Sequence, residues 1–407
     1  MTDQTGESSL NTFHQTSPHT ASAAAWSGVL AMTLCVFALV AAEFMPVSLL
    51  TPLAVDLQVS EGLVGQGIAL SGALAVLTSL SVSTLAGQIN RKALLLGMTA
   101  LMVLSSAVIA LAPSYPVYLL GRALIGIAVG GFWSLSAATA IRLVPVGQVP
   151  RALAIFNGGN ALAMVIVAPL GSYLGTLVGW RGAFFCLLPV SLLALLWQAY
   201  SLPSLPASGH HRKGGLFSSL RTPQVLIGLL AVGLFFMGQF ALYTYVRPFL
   251  ESVTRLPDAL LSLTLLVIGV AGFVGTLLVG RWLHHGLYLL LTLIPVLMAV
   301  IAVLLTVFGS SAGLVVSLLA LWGLVATAAP AGWWTWVART LPDNAEAGGG
   351  LMVAVVQLSI ALGSTLGGLL FDLHGYRSTF VLSALLLMLS ALLCGLCGRL
   401  AGRTAAP

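Results

Sequence analysis

Twelve long apolar runs, separated by short polar breaks, constrain this chain more than anything else in it. A helix crossing a hydrocarbon core of about 30 Å needs about 20 consecutive, mainly apolar residues. The runs fall at about 26–49, 62–86, 93–112, 116–140, 152–177, 182–202, 223–246, 259–280, 287–307, 313–337, 348–370 and 379–398. They are too long and too evenly apolar for the alternation of an outer-membrane strand. Composition agrees. Of 407 residues, 59% are hydrophobic and 6% charged, whereas a soluble domain carries about a quarter charged residues. A soluble enzyme, a nucleic-acid-binding domain and a disordered chain are all excluded. The expected fold class is an all-α membrane protein with twelve transmembrane helices.

Loop charges set the expected orientation. With the N-terminus inside, eleven Lys and Arg residues fall in cytoplasmic segments, and four (Arg181, Arg247, Arg255, Arg377) fall outside. Basic residues are retained in cytoplasmic loops, so both termini are expected in the cytoplasm. Residues 1–25 are polar, begin with Asp3 and Glu7, and lack the basic start of a secretory signal. They read as a disordered cytoplasmic tail. Residues 203–222 hold Ser-Leu-Pro-Ser-Leu-Pro, His210, His211, Arg212 and Lys213, a linker composition. The expected organisation is therefore a helical half at 26–202, a cytoplasmic linker at 203–222, a second half at 223–398 and a cytoplasmic tail at 399–407.

The halves echo one another. Gly171-Ser172-Tyr173-Leu174-Gly175 returns as Gly363-Ser364-Thr365-Leu366-Gly367, Gly179-Trp180-Arg181 as Gly375-Tyr376-Arg377, and Gly131-Phe132-Trp133-Ser134 as Gly332-Trp333-Trp334-Thr335. Repeats in order, offset by about half the length, point to duplicated six-helix halves with a cargo site between them near the midplane. The glycines suit either an interface that slides or simple tight packing.

Two charges, Glu43 and Arg122, fall inside apolar runs. Each costs about 2.5–3.5 kcal/mol on insertion scales, which makes it a functional candidate. At about 1.5 Å per residue both lie roughly 5–10 Å below the outer surface. Burial favours a neutral carboxyl and a nearby arginine favours the carboxylate, so a carboxyl between these influences can load and release a proton. A static ion pair, or side chains snorkelling to the interface, is the alternative. Uncharged polar groups in the runs are candidate cargo contacts or helix–helix bonds: Asn157, Asn160, Gln239, Tyr243 and Gln357. Trp133 and Trp334 offer aromatic faces for a flat ring.

No metal or cofactor is expected. Paired His210 and His211 read as a solvated basic loop, and Cys394-Gly-Leu-Cys397 as packing residues in an apolar run. No P-loop, H-E-x-x-H or G-x-S-x-G occurs. An enzyme is not expected, and without a P-loop an ion gradient is the expected energy source, the proton gradient being the one that Glu43 would use.

Twelve spans in two halves resemble the major facilitator superfamily, specifically its drug:proton antiporter-like branch. Gly121-Arg122-Ala-Leu-Ile-Gly126 is similar to the family's R-x-x-x-G motif, which implies a proton-transfer role for Arg122. Gly87-Gln-Ile-Asn90-Arg91-Lys92 looks like a shortened gating motif, with Asn90 where an acidic residue is usual. Ala168-Pro169 is the part of the antiporter motif present. The run Ala42-Glu43-Phe44-Met45-Pro46-Val47-Ser48-Leu49-Leu50-Thr51-Pro52 resembles the first span of bacterial purine ribonucleoside efflux pumps, the NepI type, as do Gly130-Gly131-Phe132-Trp133, Arg142-Leu143-Val144-Pro145, Ser201-Leu202-Pro203-Ser204-Leu205-Pro206 and Gly238-Gln239-Phe240. Its Glu43-Phe44-x-Pro46-Val47 core is shared with sugar-efflux relatives. The resemblance implies a monomeric, multi-pass transporter of the bacterial inner membrane, exporting inosine or guanosine in exchange for protons. Export of sugars or drugs, a passive channel and a membrane enzyme are the rivals.

Overall fold

The computed structural model describes residues 23–85, 89–145, 148–206, 222–340 and 345–404. Most of the expected N-terminal tail and linker, and residues 405–407, lie outside the described residues. So do Gly87 and Gln88 of the gating motif, His210 and His211. Thirteen helices are described: α1 (Ala23–Ser48), α2 (Leu50–Leu57), α3 (Glu61–Leu85), α4 (Arg91–Ala110), α5 (Tyr115–Leu143), α6 (Val149–Ser201), α7 (Pro223–Tyr243), α8 (Val246–Ser252), α9 (Asp258–Phe308), α10 (Ala312–Ala326), α11 (Ala329–Thr340), α12 (Ala345–His374) and α13 (Tyr376–Thr404). There is no strand among the described residues. A helix apolar on every side needs an apolar solvent. Leu196, Leu277, Val307, Leu385 and Leu392 stand 60% exposed or more on the outside of the bundle, where lipid is the only solvent that welcomes them.

Among the described residues, eleven segments are long and apolar enough to cross a membrane. One of them, Arg151–Ser201, has 51 residues, or about 76 Å of helix at 1.5 Å per residue. That is more than twice a hydrocarbon core. Gly179 breaks it with φ 71° and ψ 168°, so the segment has room for two crossings. The count is eleven, or twelve with this segment counted twice. Some expected boundaries move. α1 begins at Ala23, inside the expected tail, and α13 runs on to Thr404.

Buried apolar side chains sort into two principal clusters. One is drawn from Met32–Leu202 and takes in Tyr245. The other is drawn from Val225–Cys397 and takes in Val47, Ile68 and Ala168. The α3–α12 and α6–α9 packings join them. Close approach there needs missing side chains. A Cβ on Gly72 would stand 2.9 Å from the Gln357 carbonyl, and one on Gly368 3.0 Å from the Gly62 Cα.

The sequence echoes have backbone counterparts. Gly179 and Gly375 both take a left-handed φ, 71° and 75°. Each precedes an aromatic residue whose face carries the next arginine: Arg181 lies 4.2 Å from the Trp180 ring and Arg377 6.0 Å from the Tyr376 ring. The helix breaks correspond too. Leu49 N–H donates to Pro46 O at 3.1 Å, and Tyr245 N–H to Leu242 O at 3.0 Å. Both pairs of features are offset by 196 residues (375 − 179 and 245 − 49). The same offset carries Glu43 onto Gln239. The Gly-Ser-x-x-Gly echoes serve tight packing. A Cβ at Gly171 or Gly175 would strike Ser48 or Leu49 at the α1–α2 break, and one at Gly363 or Gly367 would strike Met237 or Ala241 of α7.

Candidate functional site

Prolines create the site's acceptors. Pro46 lies inside α1 and has no N–H, so the Ala42 carbonyl four residues earlier lacks its helical donor. Arg122, on α5, supplies one: its Nη1 donates to Ala42 O at 3.0 Å. The rest of the guanidinium is also engaged. Nη2 donates to Glu43 O at 3.1 Å and to Ser71 Oγ at 2.9 Å, and Nε donates to Gly67 O at 3.2 Å. Arg122 is 0% exposed. Its charge is solvated by four neutral oxygens on α1 and α3, which makes these charge-assisted bonds stronger than ordinary ones. Gly67 leaves room for it, since a Cβ there would sit 3.1 Å from the Arg122 Cγ.

The carboxyl of Glu43 thus forms no ion pair. Among the described residues the ion pairs within 4.0 Å are Arg181–Asp56 and Arg247–Glu251. Glu43 is 4% exposed, and its carboxylate accepts from Gln357 Nε2, on α12, at 3.2 Å. Both alternatives raised by the sequence fail. Arg122 meets the backbone of Glu43 and forms no ion pair with its carboxylate, and burial leaves neither side chain snorkelling. Beside Glu43, Phe44 packs on Phe240 of α7 (centroids 5.6 Å apart), and Phe240 meets Tyr243 edge-on at 6.1 Å. The Gln239 Oε1 and Gln357 Oε1 atoms are buried without a hydrogen-bond partner.

The other sequence candidates scatter. Trp133 is half-buried, edge-on to Phe156 at 6.0 Å. Asn157 is exposed and bonds Leu153 O of its own helix at 2.9 Å, and Asn160 is half-buried. Trp334 is 48% exposed, while its neighbours Trp333 and Trp336 are buried against one another at 6.1 Å. In the gating segment, Asn90 caps α4 by accepting from Lys92 N–H at 2.9 Å, and it donates to Ser204 Oγ at 2.6 Å. Arg91 N–H donates to Leu205 O at 2.9 Å. These bonds tie the segment to residues just after α6.

Arg247 corrects the sequence reading. Expected in an outer loop, it lies in α8 and is only 3% exposed. Pro52 deprives the Ser48 carbonyl of its helical donor, and Arg247 Nη1 donates to that carbonyl. It also donates to Ser172 Oγ at 3.1 Å, and its Nε pairs with Glu251 at 2.7 Å. Nearby, the Asp372 carboxylate of α12 accepts from Ser60 Oγ at 2.5 Å and Gly62 N–H at 3.1 Å, at the start of α3. The sequence signal for Arg247 was Pro248 beside it and Glu251 one turn on, within an apolar stretch.

An all-helical bundle with lipid-facing apolar sides, two apolar clusters meeting across α3–α12, and a lone buried carboxyl at that meeting defines a polytopic membrane transporter. The profile of the Major Facilitator Superfamily matches residues 32–364, and the chain belongs to that superfamily, a family of transporters and not of enzymes. The chain is 63% identical over 372 residues to the transcription regulatory protein OpdE of Pseudomonas aeruginosa, covering 90% of this chain and 92% of that one. It is 40% identical over 367 residues to the purine ribonucleoside efflux pump NepI of Salmonella typhimurium, with the same two coverages. Among solved structures, the fold matches a bacterial homologue of the human lysosomal transporter Spinster, in an inward-facing and unoccupied conformation, with TM-score 0.75 at 16% identity. That match covers 93% of this chain and 98% of the other.

Proposed function

We propose that this chain is a proton-coupled antiporter that exports purine ribonucleosides, inosine and guanosine among them, across the bacterial inner membrane. The observation that carries the coupling is the buried Glu43 carboxyl, held by a neutral amide and left unpaired by Arg122. The cargo class rests on the relatives named purine ribonucleoside efflux pump. In this reading twelve crossings form two six-helix halves, joined through a cytoplasmic linker, with both termini in the cytoplasm and the monomer as the working unit. Local repeats offset by about half the chain, two backbone features of them at 196 residues, and two apolar clusters support it.

The Arg247 and Asp372 bonds then close the outer end, and cargo enters from the cytoplasm. Glu43 takes a proton from outside once that end opens and releases it inward as the pump resets. Arg122 fixes the α1 backbone that carries Glu43. Gln239, Tyr243 and Gln357 face cargo, with Trp133, Asn157, Asn160 and Trp334 as weaker contacts because their bonds and exposure lie elsewhere. Asn90, Arg91 and Lys92 brace the inner end. The experiment is flux of labelled inosine and arabinose in vesicles holding the purified protein. Proton-dependent inosine movement is expected. Movement of arabinose and not inosine would reassign the cargo to sugars.

A second reading comes from the relative named a transcription regulatory protein. Export of a signalling metabolite alters transcription indirectly, so a transport-dead Glu43→Gln chain should lose any regulatory effect. A regulatory effect that survives in that chain would separate the two roles.

A further inference from the structure

Gln357 sits where the two apolar clusters meet. Its backbone carbonyl is pressed against Gly72 of α3, one residue beyond Ser71, where the Arg122 network ends. Its side chain is 93% buried (7% exposed). One end of the carboxamide is used, with Nε2 donating to Glu43 Oε1 at 3.2 Å. The other end is not: Oε1 is buried with no partner. A buried acceptor without a donor is costly, so this oxygen favours any donor that reaches it.

Two donors fit. A carboxylate only accepts, but a protonated carboxyl carries an O–H. Once Glu43 takes a proton, its O–H and the Gln357 carbonyl pair directly after the amide turns over, which exchanges donor and acceptor within the same two side chains. The other donor is an N–H or O–H of the cargo, such as the lactam N–H of a hypoxanthine or guanine base or a ribose hydroxyl. One carbonyl aimed into one site serves one of these at a time.

We infer that Gln357 couples proton to cargo: the Glu43 proton and a donor group of the cargo compete for the Gln357 side-chain carbonyl, so that loading one expels the other. The inference rests on the proposed function and deepens it. The proton moves on and off the Glu43 carboxylate oxygen, and no other covalent bond changes. Around Glu43, α5 presents the Arg122 guanidinium to the Glu43 backbone carbonyl, and Tyr118, whose hydroxyl is 3.5 Å from Val64 O. α3 presents the uncharged Ser71 to Arg122, and α12 the uncharged Gln357. On α8, Arg247 and Glu251 pair with each other, and Arg247 bonds Ser48 and Ser172.

The test is binding of tritiated inosine to the purified full-length protein as a function of pH. One displaced proton makes the wild-type Kd rise about tenfold for each unit the pH falls, over the range where Glu43 protonates. Gln357→Met keeps the volume and removes both amide groups. It should bind about tenfold more weakly with a flat pH profile, while thermal unfolding stays near wild type. Gln357→Asn, which keeps the amide one methylene shorter, should restore part of the slope. If Gln357→Met, or Gln357→Leu should the Met variant not fold, keeps the wild-type affinity and the full slope, the inference on Gln357 is overturned. Glu43→Gln separates the levels. A full slope in Glu43→Gln removes the proton carrier itself, and a wild-type protein that binds no inosine removes the cargo assignment; the inference falls with either.

Discussion

Pro46 takes a hydrogen bond away from α1, and Arg122 restores it from another helix. The Ala42 carbonyl loses its helical donor to the proline ring and accepts from the Arg122 guanidinium at 3.0 Å. The pairing explains why a buried arginine can stand beside a buried glutamate without forming an ion pair with its carboxylate, which accepts from Gln357 instead. The freed backbone carbonyl competes for the guanidinium, and it is fixed in place.

This relationship is measurable as a coupling energy. Arg122→Leu leaves the Ala42 carbonyl with no donor, at a cost of about 1–3 kcal/mol for that oxygen alone. In Pro46→Ala the helix supplies its own N–H, so that part of the cost of Arg122→Leu disappears. A double-mutant cycle on thermal stability in detergent should return about 1–3 kcal/mol of interaction between the two positions. Strict additivity would show that the carbonyl is satisfied some other way.

Arg122→Lys keeps the charge and loses the planar fork. A single ammonium cannot span acceptors on α1 and α3 as a guanidinium does. Inosine transport should drop at least about tenfold, and thermal stability should fall toward that of Arg122→Leu. Wild-type rates in this variant would mean that charge alone is required.

Arg247 repeats the arrangement at the end that the proposed cycle closes, with Pro52 freeing Ser48 O. Removing it should let that end open more often. Ser48→Cys places a thiol at a site 1% exposed. In a background with the exposed Cys186 replaced by Ser, its labelling by an impermeant maleimide should quicken about tenfold when Arg247→Ala is added, the effect of losing about 1.5 kcal/mol of charged hydrogen bonding. An unchanged labelling rate would remove Arg247 from the closure.

Gly179 holds a conformation essentially confined to glycine, φ 71° and ψ 168°. Gly179→Ala should destabilise the protein by about 1–3 kcal/mol, although the space around it is open. Gly375, with φ 75°, should behave alike. A neutral result in thermal unfolding would place the break elsewhere in α6.

Much of this was legible in the sequence. Apolar runs announce spans without needing a face, so the spans are readable, with two pairs of them joined into the single helices α6 and α9. Each pair joins at one glycine outside helical φ/ψ, Gly179 in α6 and Gly286 in α9. Glu43 and Arg122 stood out because a charge within an apolar run is an anomaly. Arg247 did not, because it lies one residue beyond the apolar run 223–246, and its acceptors Ser48 and Ser172 are remote in sequence. Helices apolar all round carry no facing signal. Trp334 was therefore indistinguishable from Trp333 and Trp336, which turn inward and are buried. Asn157 looked available for cargo, yet a helical carbonyl one turn back was within its reach.

The most direct test of the account is transport by Glu43→Gln in proteoliposomes with an acid interior. Gln keeps the shape of Glu43 and one acceptor oxygen, but it carries an NH2 donor in place of the second oxygen and cannot carry a proton. The wild-type protein should accumulate inosine against its gradient while collapsing the pH difference. Glu43→Gln should do neither, while remaining folded in the membrane. Uphill inosine uptake by Glu43→Gln at the wild-type rate would contradict the central claim that this one buried carboxyl couples the pump.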